Sequence, residues 1–254
     1  MKHQKTLLTL AFIASAVTTS TAQASLFDRG NGLIYNLVSN ITFTSDANLF
    51  KTQADGNANL INQIIAANNG VVFNTPNIYD TPRNSGSYTL KTTDFTEFTY
   101  LNTINGQMTW WGAQAWIGYL NKTNYDGYNN WSLPTTDPTD KFNSQMGELF
   151  YTELGGRYLS SIVSSHNANY NLFSNVQSSG YWSSDEYLPP SPNFAAWAFN
   201  LSNGLQGSTS KTQVKFAWAV RSGDVAAIPV PGAAWLFGIG LIGVTSLARK
   251  RKVA

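Results

Sequence analysis

Cysteine is absent from all 254 residues. That excludes a disulfide framework, a thiol nucleophile and any cysteine-ligated metal. Histidine is nearly absent: His3 lies among the first residues and His166 stands alone in the remainder, so a multi-histidine metal site is excluded by count. Charge is also scarce, at 12% of residues. The formal +2 of the whole chain is an artefact of its ends, because Lys2 and Lys5 open it and Arg249, Lys250, Arg251 and Lys252 close it. Between them ten basic residues face fourteen acidic ones, a net charge of −4. A basic face for nucleic acid is therefore excluded. Without disulfides, stability must come from burial, for which about 200 residues are enough.

What is abundant is aromatic: eight Trp, twelve Tyr and fourteen Phe, in a chain rich in Asn, Ser, Thr and Gly. Such a bias suits an extracellular, loop-rich module. Aromatic rings serve both cores and sugar-stacking surfaces, so composition leaves both open.

The N-terminus carries a positive start at Lys2 and Lys5, an apolar stretch from Leu7 to Val17, and Ala22-Gln23-Ala24. This order predicts a secretory signal peptide over 1–24, with Ala22 and Ala24 as the small residues read by signal peptidase and cleavage before Ser25. The apolar stretch falls short of the ~20 residues of a spanning helix. At the other end, Pro229-Val230-Pro231 precedes an uncharged apolar stretch from about 232 to 248, and the basic cluster 249–252 follows directly. As a helix this stretch is about 26 Å long, a marginal span. The basic end is expected to stay cytoplasmic, which leaves the domain outside an inner-membrane-anchored precursor. The paired prolines, the apolar helix beginning Ala233-Ala234-Trp235-Leu236-Phe237-Gly238 and the basic end resemble the PEP-CTERM sorting signal of Gram-negative bacteria. That resemblance implies a sorting tail over 225–254, processing by an exosortase near Pro229, Val230 and Pro231, and a secreted or cell-surface product in a host that makes exopolysaccharide. Val230 stands where the family usually has Glu.

Within residues 25–224 the periodicities are short. Gly32–Tyr35 and Ile41–Phe43 predict a hairpin. Leu60, Ile61, Ile64 and Ile65 predict a helix over 58–67, ended by Asn68-Asn69-Gly70. Residues 74–106 predict an elaborated loop region with short strands. Trp110, Ala113, Ile117 and Leu120 share a helical face, with Thr109 as N-cap. A helix over about 144–154 would bury Met146, Leu149, Phe150 and Leu154, with Ser144 as cap and Gly155-Gly156 as stop. Trp197, Phe199 and Leu201, then Phe216, Trp218 and Val220, predict two strands paired in a buried antiparallel ladder.

Several of these stretches in order resemble the Lcl C-terminal domain family, named for the end of a bacterial collagen-like adhesin. They are Gly32-Leu33-Ile34-Tyr35, Met108-Thr109-Trp110 with Ala113–Trp116, Gly127-Tyr128 with Trp131–Thr135, Glu148–Tyr151 with Glu153-Leu154-Gly155, Tyr181–Ser184 with Glu186-Tyr187, and Ala217–Arg221. Ser132 replaces the usual Arg of the family's Trp-Arg-Leu-Pro. The resemblance implies a single α+β, lectin-like domain over 25–224, with two or three helices packed on short antiparallel strands. It implies a precedent in glycan adhesion and does not imply an enzyme.

The expected function is therefore a non-enzymatic surface or exopolysaccharide-associated protein that binds glycan, with no cofactor required. Two alternatives accompany it. One is a structural, self-associating surface protein without a sugar site, and the other is a carboxylate-dependent glycoside hydrolase. A hydrolase needs two acids placed ~5–9.5 Å apart across a sugar, and nothing in the sequence positions such a pair. Tyr125, Tyr128 and Tyr187 flank loops and are the stacking candidates, whereas Trp131 and Trp182 are expected in the core. Asp137, Asp140, Asp185 and Glu186 are the candidates for calcium, which favours oxygen-rich loops, although their spacing is not that of an EF-hand.

Overall fold

The structure is a computed structural model, and it describes residues 25–96, 104–188 and 194–225. The signal with Ala22 and Ala24, and the tail with Pro229, Val230, Pro231 and Arg249–Lys252, lie outside the described residues. Among the described residues no helix is long and apolar enough to cross a membrane.

The strands are β1 (Leu26–Gly30), β2 (Leu33–Asn36), β3 (Ile41–Thr44), β4 (Val71–Phe73), β5 (Ser87–Thr89), β6 (Gln107–Met108), β7 (Trp131–Ser132), β8 (Gly180–Glu186), β9 (Ala195–Asn200), β10 (Leu205–Ser210), β11 (Lys215–Phe216) and β12 (Val220–Ser222). The α-helical segments are α1 (Leu49–Gly56), α2 (Leu60–Ala67), α3 (Trp110–Lys122), α4 (Gln145–Glu148) and α5 (Ile162–Ser165). One sheet runs β1-β2-β3-β12-β7, a second runs β10-β9-β8-β11-β6, and β4 pairs with β5 alone. All pairings are antiparallel except β11 with β8. The mixed α+β class is as expected from the sequence.

Side-chain alternation divides the strands between two hydrophobic cores. Ile34, Phe43 and Val220 are cross-strand neighbours and enter one core, while Leu33 and Trp131 enter the other. In the second sheet Tyr181 and Phe199 join the first core, and Trp182 and Ala198 join the second. The inner strands are thus covered on two sides, which is why β2 and β3 are buried at every position.

The hairpin of β2 and β3 forms as predicted, with Asn36 accepting from the amides of Val38 and Ser39 in the turn. Thr109 caps α3, its hydroxyl accepting from the Gly112 amide at 3.2 Å. Trp110, Ala113, Ile117 and Leu120 are all buried. The predicted helix 144–154 has a different construction. It begins as one α-turn and continues as a π-turn over Leu149–Glu153, closed by the Leu154 amide on the Leu149 carbonyl. Ser144 does not cap it by its side chain. The hydroxyl instead accepts from the Asp137 amide at 2.7 Å and donates to Gln206, because the preceding loop folds back over the helix start.

The expected ladder between the strands at 197–201 and 216–220 is not formed. β9 lies between β8 and β10, while β11 and β12 belong to different sheets. Phe199, Leu201, Phe216, Trp218 and Val220 still meet in one core, from separate strands. Trp197 is only partly buried and belongs to neither core; it lies edge-on to Tyr187 at 5.0 Å. Helix α1 was not expected. It is only eight residues long, and it holds through burial of Leu49, Phe50 and Ala54 rather than through a side-chain cap.

Candidate functional site

The stacking candidates do not converge. Tyr125 and Tyr128 both pack on Trp131, with ring centroids at 5.7 and 6.5 Å, and the Arg221 guanidinium covers Tyr128 at 4.1 Å. Tyr187 packs on Trp197 beside the other sheet. Tyr187 packs against a different neighbour from the other two, so the three form no common face. Trp131 and Trp182 are core residues, as expected.

The carboxylate candidates are likewise engaged one by one. Asp137 accepts from the amide and hydroxyl of Thr139 and from the Asp140 amide, and these bonds hold its carboxyl down at about 2. Asp140 accepts from the Phe142 amide at 2.9 Å. Asp185 accepts from the Thr136 amide at 2.7 Å. Glu186, at the end of the irregular stretch of β8, points instead to Thr75 and Lys211. Lys211 is fully buried, 3.3 Å from Glu186 and 4.7 Å above the Trp110 ring. Burial pushes its ammonium pKa down. Among the described residues no group of three or more His, Asp or Glu side chains gathers as a metal site.

A different set of side chains does converge at the surface. The ammonium of Lys141 lies 4.2 Å from the ring centre of Tyr158, 5.1 Å from Tyr151 and 5.2 Å from Phe142. Phe142 is 51% exposed and Tyr158 58% exposed. Phe142 and Tyr151 rings meet at 4.7 Å. An exposed cluster of this kind is unusual for residues that ordinarily seek burial.

Local backbone explains how the cluster is built. Gly147 in α4 lets the loop lie flat against the helix, since a Cβ there would sit 1.7 Å from the Lys141 carbonyl oxygen. Tyr151 projects from the π-turn, and its hydroxyl donates to the Gly204 carbonyl at 2.6 Å. Gly204 takes φ +71°, and a Cβ at that position would lie 2.4 Å from the same hydroxyl. The Leu159 amide donates to the Asn203 carbonyl, which seats Tyr158 beside that turn. Asn143 and Gln206 supply amides nearby, both tied to Asp137. Aromatic faces rimmed by amides match an amphipathic ligand with apolar C–H patches and many hydroxyls. Aromatic residues next to Lys141 and Arg157 in polar loops were the available sequence signal for this cluster.

A second grouping lies behind this surface. Glu148 and Glu153 are buried neighbours at the two ends of the π-turn. An i→i+5 turn brings residues five apart onto one side, whereas an α-helix would separate them by about 140°. Asn36 donates to Glu148 at 2.7 Å, and the Ser25 hydroxyl donates to Glu153. One oxygen of each carboxyl, Oε1 in both, is buried without a partner. Burial first, then the charge of Glu153, pushes the Glu148 carboxyl up to about 7.

No curated protein matches the chain. A family model, the Lcl C-terminal domain, matches residues 90–221, a stretch that holds the aromatic cluster, the π-turn, and all of β6 to β11. That match spans more than half of the sequence, and the chain belongs to the Lcl C-terminal domain family.

Proposed function

We propose that this chain is an exported, non-enzymatic binding protein whose lectin-like domain holds extracellular polysaccharide through the Phe142–Tyr151–Tyr158 face. The observation that carries this reading is the pair of half-exposed rings, Phe142 and Tyr158, gathered around Lys141 and bordered by the Asn203–Gly204 turn. Sugar rings present C–H faces that pack on aromatic planes, while their hydroxyls bond to surrounding amides. The module works without a cofactor, and nucleic acid has no place in it. The signal peptide, the marginal apolar helix and Pro229-Val230-Pro231 support delivery by signal peptidase and exosortase to the surface of a Gram-negative bacterium or to its medium.

Affinity electrophoresis in gels containing the host's own exopolysaccharide tests the reading. Retardation that grows with polymer concentration is expected. Migration unchanged by any polymer, together with reversible oligomers in sedimentation, would favour a structural, self-associating surface protein instead.

A further inference from the structure

We propose that the α-ammonium group of Ser25, freed by signal cleavage, is the missing partner of the buried Glu148–Glu153 carboxyl pair, so that export itself completes the fold. This inference rests on cleavage before Ser25.

The geometry begins with the contact already in place. The Ser25 hydroxyl donates to Glu153, and the Ser25 carbonyl accepts from the Leu37 amide at 2.8 Å, so the residue is fixed from two sides. Its α-nitrogen is three bonds from that hydroxyl oxygen, about 3 to 3.7 Å away across the staggered rotamers. As the first atom of a cleaved chain, the nitrogen is within reach of the Glu153 carboxyl that the hydroxyl already contacts.

The charges there are unbalanced. Glu153 is 2% exposed, and each carboxyl keeps one buried oxygen without a hydrogen-bond partner. Among the described residues neither carboxyl makes a salt bridge. Two adjacent buried carboxylates cannot both ionise at low cost, so a proton must remain with the pair. The raised Glu148 carboxyl is the mark of that arrangement.

Cleavage changes the nitrogen's chemistry. Water hydrolyses the Ala24–Ser25 amide, leaving a carboxylate on Ala24 and an ammonium on Ser25. An amide nitrogen offers at most one hydrogen and no charge, whereas an ammonium offers three hydrogens and a full positive charge. The carboxyls are desolvated before cleavage as well as after it. The new cation therefore gains their attraction without adding their desolvation cost, so that only its own partial desolvation opposes the pairing.

The test compares two forms of the chain from Ser25 onward, tail included and held in mild detergent: one with a free α-amino group, the other α-N-acetylated. In the free form the α-amino pKa should lie at least one unit above its ordinary 7.7–8.0, roughly, as followed by ¹⁵N chemical shift. At pH 7 its Tm should exceed that of the acetylated form by about 3–5 °C, the equivalent of one pKa unit. Glu153→Gln should abolish both differences. An α-amino pKa in the ordinary range, or equal Tm values, overturns the pairing, and the pKa decides alone if Glu153→Gln does not fold. Sequencing the native protein separates the two layers. A first residue other than Ser25 sinks the cleavage reading and the proposal with it, while Ser25 with an unshifted pKa sinks the pairing alone.

Discussion

The indole N–H of Trp218 donates to the main-chain carbonyl of Thr44 across 2.8 Å, joining β3 to the segment between β11 and β12. Around this bond Phe43, Phe173 and Tyr181 surround the fully buried indole at centroid distances of 5.2–5.6 Å. Trp218→Ala would empty the middle of one core and leave the Thr44 carbonyl without that donor. Equilibrium denaturation should show a loss of about 3–5 kcal/mol. A loss of only a few tenths would mean that Trp218 does not organise this core.

The Glu148 carboxyl makes stability depend on pH in a definite direction. Burial and the neighbouring Glu153 raise its folded pKa from 4.5 to about 7, and the α-N-acetylated chain, which has no ammonium there, is expected to keep that shift. Between those values the folded state holds a proton that the unfolded state releases. Stability from this group therefore falls as pH rises through that window. Subtracting the Glu148→Gln profile from that of the acetylated parent isolates the effect. The difference should decline from pH 4.5 to 7, and a rise would contradict the assignment.

Gly147 ties the loop of Lys141 to α4 through contact that leaves no room for a side chain. Gly147→Ala must displace the loop backbone, a change of about 1–3 kcal/mol by the cost of overpacking. Thermal unfolding should report that loss, and polysaccharide retardation should weaken with it although no ring has been altered. Unchanged Tm and retardation would show that the loop is not held there.

How much was legible in the sequence depended on how local the determinant was. Thr109 and the apolar face of α3 were legible because a cap and a helical stripe are set within a few residues. The partners of β9 were not, since Trp197, Phe199 and Leu201 announce a buried face without saying which strand lies beside it. That the stacking candidates do not converge was hidden for a related reason. A tyrosine in a loop looks free until Trp131, Arg221 or Trp197 is found against it. The pairing of Glu148 with Glu153 was hidden because α-helical spacing puts them on different sides, and only the π-turn joins them.

The tail carries its own prediction. Pro229 and Pro231 each fix φ and lack an amide hydrogen, which disfavours helix at Pro229-Val230-Pro231. Mature protein should end near residue 231, and mass spectrometry of the C-terminal peptide from the native host should find that end. Recovery of Arg249 to Ala254 on most of the surface protein would mean a permanent anchor.

The central claim is that Phe142 and Tyr158 form a polysaccharide-binding face. Both are half exposed, so replacing them should leave the fold intact, as circular dichroism can verify. The direct measurement is affinity electrophoresis of the Phe142→Ala/Tyr158→Ala variant beside the parent and Tyr187→Ala in host exopolysaccharide. Affinity should drop at least tenfold, about 1.4 kcal/mol, in the double variant and stay at the parent level in Tyr187→Ala. Equal retardation of the double variant and the parent would contradict the account.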